Sequence, residues 1–363
     1  MAVASLERDV VAERRATTVV QWLPRIAAWL VIAYLVLLMP LRLDQFHSDR
    51  FALGVIYAIV ALSLNVLIGY AGQISLGHQG FFGVGAFTSA FVVTSQGQSF
   101  WVGLIAAGIG GAISSALMGL VALRVKGLYL ALVTLAYGRL AQESLFLLPA
   151  FGGGAGIEAP RPAGFVTDRA YYYLCLMVLV VVVYTDWRFV KSKAGRAVNA
   201  LRENEQVASS YAVNIRTYKL LAFVIAGIFV GLAGALFAAR GQRVVAGDFE
   251  FQLALLFVIM TVVGGIRDRV GVVIGGVFFA LFSDYLADFL DKDWAHNLLP
   301  QFVNENRDQL GSVVGAVLLV ITLIKYPGGI GQQLRPVRSW LTGGPFSAGH
   351  SDGFVEEGVR GRP

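Results

Sequence analysis

The sequence carries little charge for its length. Asp, Glu, Lys and Arg make up 14% of its 363 residues, whereas soluble domains carry about 25%. Hydrophobic residues account for 56%, and a soluble fold would expose too much of this apolar surface to water. The composition therefore predicts an all-α, polytopic helical membrane protein, in which the 42 glycines allow close helix packing.

Cysteine is represented by Cys175 alone, within an apolar run. A single cysteine excludes a disulfide framework and a cysteine-based metal cluster. Residues 1–21 lack the early apolar stretch of a cleavable signal peptide, so we predict a cytoplasmic tail there. The net charge of +6 lies at the chain ends and in loops, where it orients membrane proteins, and no nucleic-acid partner is expected.

The motifs of nucleotide-dependent and metal-dependent enzymes are also missing. The sequence has no Gly-x-x-x-x-Gly-Lys-[Ser/Thr], no His-Glu-x-x-His and no Gly-x-Ser-x-Gly. An enzyme within the membrane would need converging titratable groups, and the histidines are scattered. We therefore expect no catalytic residues, no cofactor and no metal in this chain, and favour a membrane passage for a solute.

Apolar runs that approach the roughly 20 residues needed to cross a bilayer recur along the chain. They lie at 22–41, 51–70, 80–95, 100–123, 127–148, 171–187, 218–239, 251–264, 272–290 and 311–326. The runs at 80–95 and 251–264 are short and flanked by glycine, so either can be a half-helix. We predict about 10 crossings, with a range of roughly 8–10.

Basic loops predict the orientation, because Lys and Arg accumulate on the cytoplasmic side. The N-terminal tail, the turn at Arg124, the segment 188–219 and the tail after Lys325 are basic, whereas residues 288–310 are mainly acidic. We therefore expect both termini in the cytoplasm. The predicted organisation is a cytoplasmic tail (1–21), an N-terminal membrane half (22–187), a cytoplasmic coupling loop (188–217), a C-terminal membrane half (218–327) and a disordered cytoplasmic tail (328–363).

The polar segment 188–219 interrupts the apolar runs in the middle of the chain. Its periodicity predicts one helix over 197–212. The apolar side of that helix is narrow and lacks Trp and Phe, so we expect it to contact a protein partner rather than lie on lipid. On that side fall Val198, Leu201, Ala208, Tyr211 and Ala212.

The stretch 64–83 is the first candidate for a solute passage. It places Asn65, Gln73, Ser75 and His78 at membrane depth. Glycines that permit an unwound or closely approached backbone accompany them: Gly69, Gly72, Gly77, Gly80 and Gly83. A half-helix N-terminus here would suit a carboxylate. The alternative is that these polar groups only join helices to one another.

The stretch 127–143, followed by the glycine loop 152–156, is the second candidate. It contains Thr134, and its Arg139 and Glu143 stand four residues apart, so they can pair on one helix. Ionisable groups inside a membrane point to function, although near the outer interface their cost falls. For the glycine loop, a backbone nest for an anion competes with an ordinary flexible loop.

Glycine patterns recur elsewhere. Residues 264–279 resemble 69–85, since both place a polar, glycine-rich break between apolar runs, and paired breaks point to a translocation site. Small residues at every fourth position predict helix contacts within the chain. They are Gly103, Ala107, Gly111 and Ser115; Gly227, Gly231 and Ala235; Gly271 and Gly275; and Gly311 and Gly315.

Taken in order, four stretches resemble one known family. They are 64–86, 127–135 with the loop 152–156, 191–235, and 264–281. The third is the most specific, with Ala-Gly-Arg-Ala-Val-Asn-Ala-Leu-Arg-Glu-Asn-Glu-Gln-Val-Ala from position 194 and Gly-Leu-Ala-Gly-Ala-Leu from position 231. The chain resembles the LivM-type permease subunit of ATP-binding-cassette importers for branched-chain amino acids.

The resemblance implies that the segment 188–219 holds a coupling helix, which docks in a cleft of an ATPase subunit. It assigns coupling to Gly195, Arg196, Arg202, Glu203, Asn204, Glu205, Ala208 and Ala212. The charged residues and Asn204 are expected to face the partner, while Ala208 and Ala212 let the helix sit close. The family commonly has glycine near 212 and an acidic residue at 139, so Ala212 and Arg139 are departures that bear on the helix end and on the solute.

The implied machine is an importer of the bacterial inner membrane. This chain and a second, LivH-type permease form the passage, two ATPases bind ATP and Mg²⁺, and an extracytoplasmic binding protein delivers leucine, isoleucine or valine. The pathway is assigned to Asn65, Gly72, Gln73, Ser75, Gly77, His78, Thr134 and Glu143. Urea or short-chain amides are the nearest alternative solutes, and an ion-coupled secondary transporter is the alternative of a different class.

Overall fold

A computed structural model describes residues 45–125, 127–290 and 328–341, together with Tyr34, Val317 and Val320. The chain divides into one unit, Met39–Gln332, and a second formed by Met1–Leu38 and Gln333–Pro363. All described helices lie in the first unit, except the last one, which crosses the boundary. The predicted crossings 22–41 and 311–326 lie almost wholly outside the described residues.

α-Helices make up most of the described chain. They are α1 Gln45–Leu64, α2 His78–Ala90, α3 Phe100–Ala122, α4 Leu128–Glu143, α5 Asp168–Lys191, α6 Lys193–Glu203, α7 Glu205–Ser210, α8 Ile215–Gly241, α9 Phe251–Gly265, α10 Arg269–Leu290 and α11 Gly329–Leu341. Two short strands, β1 Ile157–Glu158 and β2 Arg243–Val244, pair antiparallel. The predicted helical membrane fold is confirmed.

Four described helices are long and apolar enough to span a membrane. They are Ser48–Tyr70, Phe100–Ala122, Asp168–Lys191 and Ile215–Gly241, and they agree with four of the predicted runs. Helix α4 ends at Glu143 after 16 residues, so the run predicted to 148 was too long. Helix α9 is short, as predicted for 251–264. The total of about 10 crossings stays a prediction.

Helix α1 is the core of the first unit. Every residue from 52 to 67 is buried, because α5, α8, α9 and α10 all pack against it. A helix that is apolar on all sides belongs in such a position. The passage candidates that follow α1 are therefore attached to the best-packed element.

Helices α3 and α8 meet at the predicted small residues. A Cβ added to Gly111 would stand 2.2 Å from the oxygen of Gly227, and one added to Gly231 would stand 2.2 Å from the oxygen of Ala107. Only glycine and other very small residues, such as alanine, allow two helix backbones to approach this closely. The prediction that these faces pack within the chain is confirmed.

An ionic cluster joins the ends of three spanning helices. Arg161, whose side chain is 8% exposed, lies 2.6 Å from Asp168 at the start of α5 and donates to the oxygen of Arg240 at the end of α8. Asp49 of α1 accepts from Arg240 at 2.5 Å. Cations and carboxylates alternate, so each buried charge has a partner of opposite sign.

Candidate functional site

The first predicted passage stretch is a break between α1 and α2. After α1 the chain makes a π-helical turn, Asn65–Tyr70, and then has no regular structure until α2 begins at His78. A Cβ on Gly77 would stand 1.7 Å from the oxygen of Thr134 in α4. The unwound, closely approached backbone predicted from the glycines is present.

Thr134 fastens this break to α4. Its hydroxyl accepts a hydrogen bond from the amide of Leu76 at 3.0 Å and donates to the oxygen of Ala131 at 2.9 Å. One unpaired amide of the broken segment is thereby satisfied, as irregular backbone inside a membrane protein requires. The two predicted passage stretches therefore meet at Thr134.

His78 joins helices rather than lining open space. Its Nε2 lies 2.8 Å from the hydroxyl of Ser63, which donates its own proton to the oxygen of Ala226 at 2.7 Å. The Nε2 atom must therefore be the donor to Ser63. Ser75 is fully buried and lies 3.5 Å from Nδ1. For these two residues, the geometry fits the alternative in which polar groups connect helices.

Among the described residues, several buried side-chain amide atoms in and beside the break have no hydrogen-bond partner. They include Nδ2 of Asn65, Oε1 of Gln73 and both polar atoms of Gln79. An unsatisfied buried amide costs about 1–3 kcal/mol. These atoms are therefore candidates to bond a solute, or to find partners in a second conformation of the chain. Gln79 was missed from the sequence, although an amide in the first turn of a glycine-rich, apolar helix was a usable signal.

Glu143 lies apart from this break. It pairs with Arg139 at 3.4 Å, as predicted, but both side chains are at least half exposed. Exposed pairs of this kind contribute about 0.3–0.5 kcal/mol on a helix. The structure thus brings Thr134 to the first break and leaves Glu143 on a surface of α4.

The second glycine-rich break separates α9 from α10 and meets the first. Gly265 and Arg267 both have positive φ, at +114° and +74°, and Asp268 caps α10 by accepting from the amides of Val270 and Gly271. The amide of Arg267 donates to Oδ1 of Asn65 at 2.9 Å. The two segments that resemble each other in sequence are therefore neighbours in space.

The polar segment forms two helices, which corrects the prediction of one helix over 197–212. Ser192 caps α6, and Asn204 ends it with an extended backbone. The Asn204 side chain then accepts from the amides of Gln206 and Val207 at 2.9 and 3.1 Å, which starts α7. An asparagine that satisfies two free amides can begin a new helix although the apolar periodicity continues across it.

The close turn from α5 into α6 depends on Gly195. A Cβ at this position would stand 2.2 Å from the oxygen of Phe189, so α6 packs directly on the last turn of α5. Arg196 is exposed and donates to the oxygen of Lys191 at 2.9 Å. Gly195 therefore permits the close packing with which α6 begins.

Two charged residues of α6 reach the glycine-rich breaks. Arg202 donates to the oxygen of Gly69. A Cβ added to Gly72 would stand 2.9 Å from Cγ of Arg202, so the aliphatic part of this side chain packs on Gly72. Glu203 accepts from Arg267 at 2.7 Å. The sequence predicted that both residues face the partner. Glu203 is exposed, whereas Arg202 is half-buried with its guanidinium on the first break.

Glu205 also turns inward. Its carboxylate lies 2.6 Å from Nζ of Lys219 in α8, and the Lys219 side chain is only 3% exposed. A buried ammonium requires such a partner. Arg202 and Glu205 thus bond to other parts of the chain, whereas Asn204 caps α7 and stays exposed.

Two large hydrophobic side chains are exposed in and just after α7, on a segment whose other exposed residues are mostly polar. Val207 is 53% and Tyr211 80% exposed. They border a cleft of about 340 Å³ whose other lining residues are Ala200, Glu203, Asn204, Ala208 and Val213. Sequence analysis put Tyr211 on the apolar side but did not single out Val207. Exposed aromatic and aliphatic groups around a cleft are typical of a protein contact.

Ala212 closes α7 in a left-handed conformation, with φ +58°. The amide of Val213 donates to the oxygen of Ala208, and that of Ala212 to the oxygen of Ser209. These two bonds are the Schellman arrangement, in which glycine usually occupies the left-handed position. The geometry gives a physical reason for a preference for glycine at 212.

The pKa values of Arg202 and Glu203, the two residues of α6 that bond the glycine-rich breaks, are both lowered. The hydrogen bond and the positive charge of Arg267 lower the pKa of Glu203, whereas burial lowers the pKa of Arg202. A depressed carboxyl pKa means that the Glu203–Arg267 contact is complete above the usual carboxyl range and is lost as pH falls through the lowered pKa.

Comparison with known proteins finds one family. The family model described as the branched-chain amino acid transport system, permease component, matches residues 48–323. The chain is 31% identical over 290 residues to the high-affinity branched-chain amino acid permease protein LivM of Escherichia coli K12, covering 71% of this chain and 68% of that protein. It is also 31% identical over 279 residues to LivM of Salmonella typhimurium, covering 69% and 66%.

A second type of relative aligns more weakly. The LivH permease protein of Salmonella typhimurium is 23% identical over 303 residues, which cover 77% of this chain and 92% of that protein. The chain thus spans about two thirds of the LivM proteins and aligns with most of LivH.

Proposed function

Because the chain belongs to the family of branched-chain amino acid permeases, we propose that it pairs with a LivH-type permease to form the passage of an importer. Two ATPase subunits that bind ATP and Mg²⁺ drive the transport, and an extracytoplasmic binding protein delivers leucine, isoleucine or valine. The protein lies in a bacterial plasma membrane with both termini in the cytoplasm. The relatives' names and the apolar spanning helices support this proposal together.

One observation carries the proposal: the polar segment touches both glycine-rich breaks. Arg202 bonds Gly69 beside the first break, and Glu203 bonds Arg267 in the second. Asn65 then links the breaks to each other. A segment that only rested on lipid would have no need of these contacts.

The exposed apolar pair Val207 and Tyr211 is where we place the ATPase. Its cleft beside Ala208 is large enough to admit side chains of a partner, and the small Ala208 keeps the approach open. Movement of α6 and α7 with the ATPase would displace Gly69 and Arg267 together. Access to the passage would then alternate between the two sides of the membrane.

The solute is recognised, on this proposal, between α1, α2 and α4. The unpaired atoms are Nδ2 of Asn65, Oε1 of Gln73 and both polar atoms of Gln79. These donors and acceptors suit the carboxylate and ammonium of a zwitterionic amino acid. Gly72, Gly77 and Thr134 hold the broken backbone that presents them. The charged pair at Glu143 is not needed at this place.

Uptake into proteoliposomes tests the function. With the second permease, the ATPases and the binding protein present, we expect ATP-dependent uptake of leucine and none when the ATPases are omitted. ATP-driven uptake of urea or acetamide in place of leucine would reassign the solute. Uptake by this chain alone, driven by an ion gradient, would refute the importer.

A further inference from the structure

A cleft of about 570 Å³ opens where the spanning helix α5 ends. It lies between the last turn of α5, the start of α6 and the flank of α8. Its lining residues are Thr185, Arg188, Phe189, Lys191, Ser192 and Ile225. The charged groups among them are both cations, and the cleft residues are distinct from those around Val207 and Tyr211.

An exposed apolar stripe on α5 leads into this cleft. Met177, Val181 and Tyr184 are 47%, 56% and 59% exposed. Arg188 and Lys191 continue the same spacing of three or four residues, which places all five on one face of the helix. An apolar track about two turns long therefore leads to two positive charges on the same face.

Aromatic side chains mark this level as a membrane boundary. Trp187 is 38% exposed, and Nζ of Lys191 lies 4.1 Å from the centre of its ring. Tyr184 is the next exposed aromatic residue towards the membrane. Tyr and Trp collect where hydrocarbon meets the headgroup layer, so the two cations lie at headgroup depth.

The cleft has positive charge without compensation. Among the described residues, Arg188 has no hydrogen bond or ion pair, and none of the lining residues is a carboxylate. The nearest carboxylate in sequence, Asp186, is fully buried and bonds Arg269. Ser192 caps α6, so the positively polarised end of that helix also borders the cleft.

We propose that this cleft binds the headgroup of an anionic phospholipid, with one acyl chain along Met177, Val181 and Tyr184. The phosphate lies between Arg188 and Lys191, as basic pockets between spanning helices bind anionic headgroups. A free phosphate would gain nothing from the apolar track. A zwitterionic lipid carries the same phosphate together with an ammonium group, which the two cations would repel.

Native mass spectrometry of the full chain in detergent tests this site. The purified protein is incubated with palmitoyl-oleoyl phosphatidylglycerol or with the corresponding phosphatidylcholine. We expect preferential retention of phosphatidylglycerol. The affinity of the protein for phosphatidylglycerol should fall roughly fivefold in Arg188→Gln or Lys191→Gln alone. It should fall about 30-fold in the double variant. The matched control is Arg216→Gln, an exposed basic residue at the start of α8, which should retain the lipid.

Three outcomes would overturn the proposal. One is equal retention of the two lipids, and another is equal retention of phosphatidylglycerol by the double variant and the control. The third is displacement of phosphatidylglycerol by inorganic phosphate alone at similar affinity, which would assign the cleft to a soluble anion. Circular dichroism is used to check that the double variant stays helical. We expect intermediate losses in Arg188→Gln and Lys191→Gln alone.

Discussion

Ala212 occupies a backbone position that favours glycine. Its φ of +58° ends α7, and a left-handed residue with a Cβ costs about 1–2 kcal/mol. Glycine would remove this strain but lose about 0.5–1 kcal/mol of conformational entropy. The balance favours glycine slightly.

We therefore expect Ala212→Gly to slow hydrogen exchange at the amides of Ala208 to Val213, by a few fold. Ala212→Val is the matched control and should speed exchange, because β-branched residues tolerate positive φ poorly. Faster exchange in Ala212→Gly would show that strain does not limit this helix end.

Gly77 is the residue at which we expect an added methyl group to impair transport most. The added Cβ would stand 1.7 Å from the oxygen of Thr134, so the first break would have to move away from α4. Gly77→Ala should reduce leucine uptake at least tenfold, while the protein still inserts into the membrane. Gly247→Ala, where nothing lies within 4 Å, should transport normally. Normal uptake by Gly77→Ala would contradict the close approach.

At the scale of elements, Arg161 should decide how firmly α1, α5 and α8 are joined. Its replacement by leucine leaves Asp168 without its 2.6 Å partner and weakens the cluster at Asp49. Breaking a mostly buried pair costs about 3 kcal/mol or more, so thermal unfolding in detergent should begin several degrees lower. Arg243→Leu removes an exposed arginine and should change little. Equal stability of the two variants would exclude the role of the cluster.

Elements were predictable from the sequence where composition alone decides them. The spanning runs near 100–123 and 218–239 follow from apolar length, and their contact faces follow from Gly111 and Gly231. The break between α6 and α7 was missed because the apolar side of the segment continues across Asn204. Its capping bonds depend on a local backbone angle, φ −160°, which periodicity does not reveal.

The contacts between elements were less predictable. Arg202 and Gly69 stand 133 residues apart, and Asn65 and Arg267 stand 202 apart. A charge on an amphipathic segment is expected to face water or a partner, so nothing local indicates that Arg202 points inward. The resemblance between the two breaks did indicate that both matter, and their contact gives that resemblance a spatial meaning.

For the whole molecule, the central claim is transmission from α6 to both breaks. In the proposed importer, energy enters from the ATPase subunits. The proposed route runs from the surface at Val207 and Tyr211 to Gly69 and Arg267. The strained φ of Arg267 fits a turn held by its neighbours. Such positions persist only where surrounding contacts fix them.

The most direct test reverses the Glu203–Arg267 contact in the assembled importer and measures leucine transported per ATP hydrolysed. Glu203→Arg and Arg267→Glu should each lower this ratio about two- to fivefold, a modest loss because exposed ion pairs are weak. Lys193→Glu, on an exposed part of the same helix, controls for charge reversal. If α6 transmits motion through this contact, the double swap restores the ratio. Unchanged coupling in both single variants, or a double swap no better than either, would contradict it.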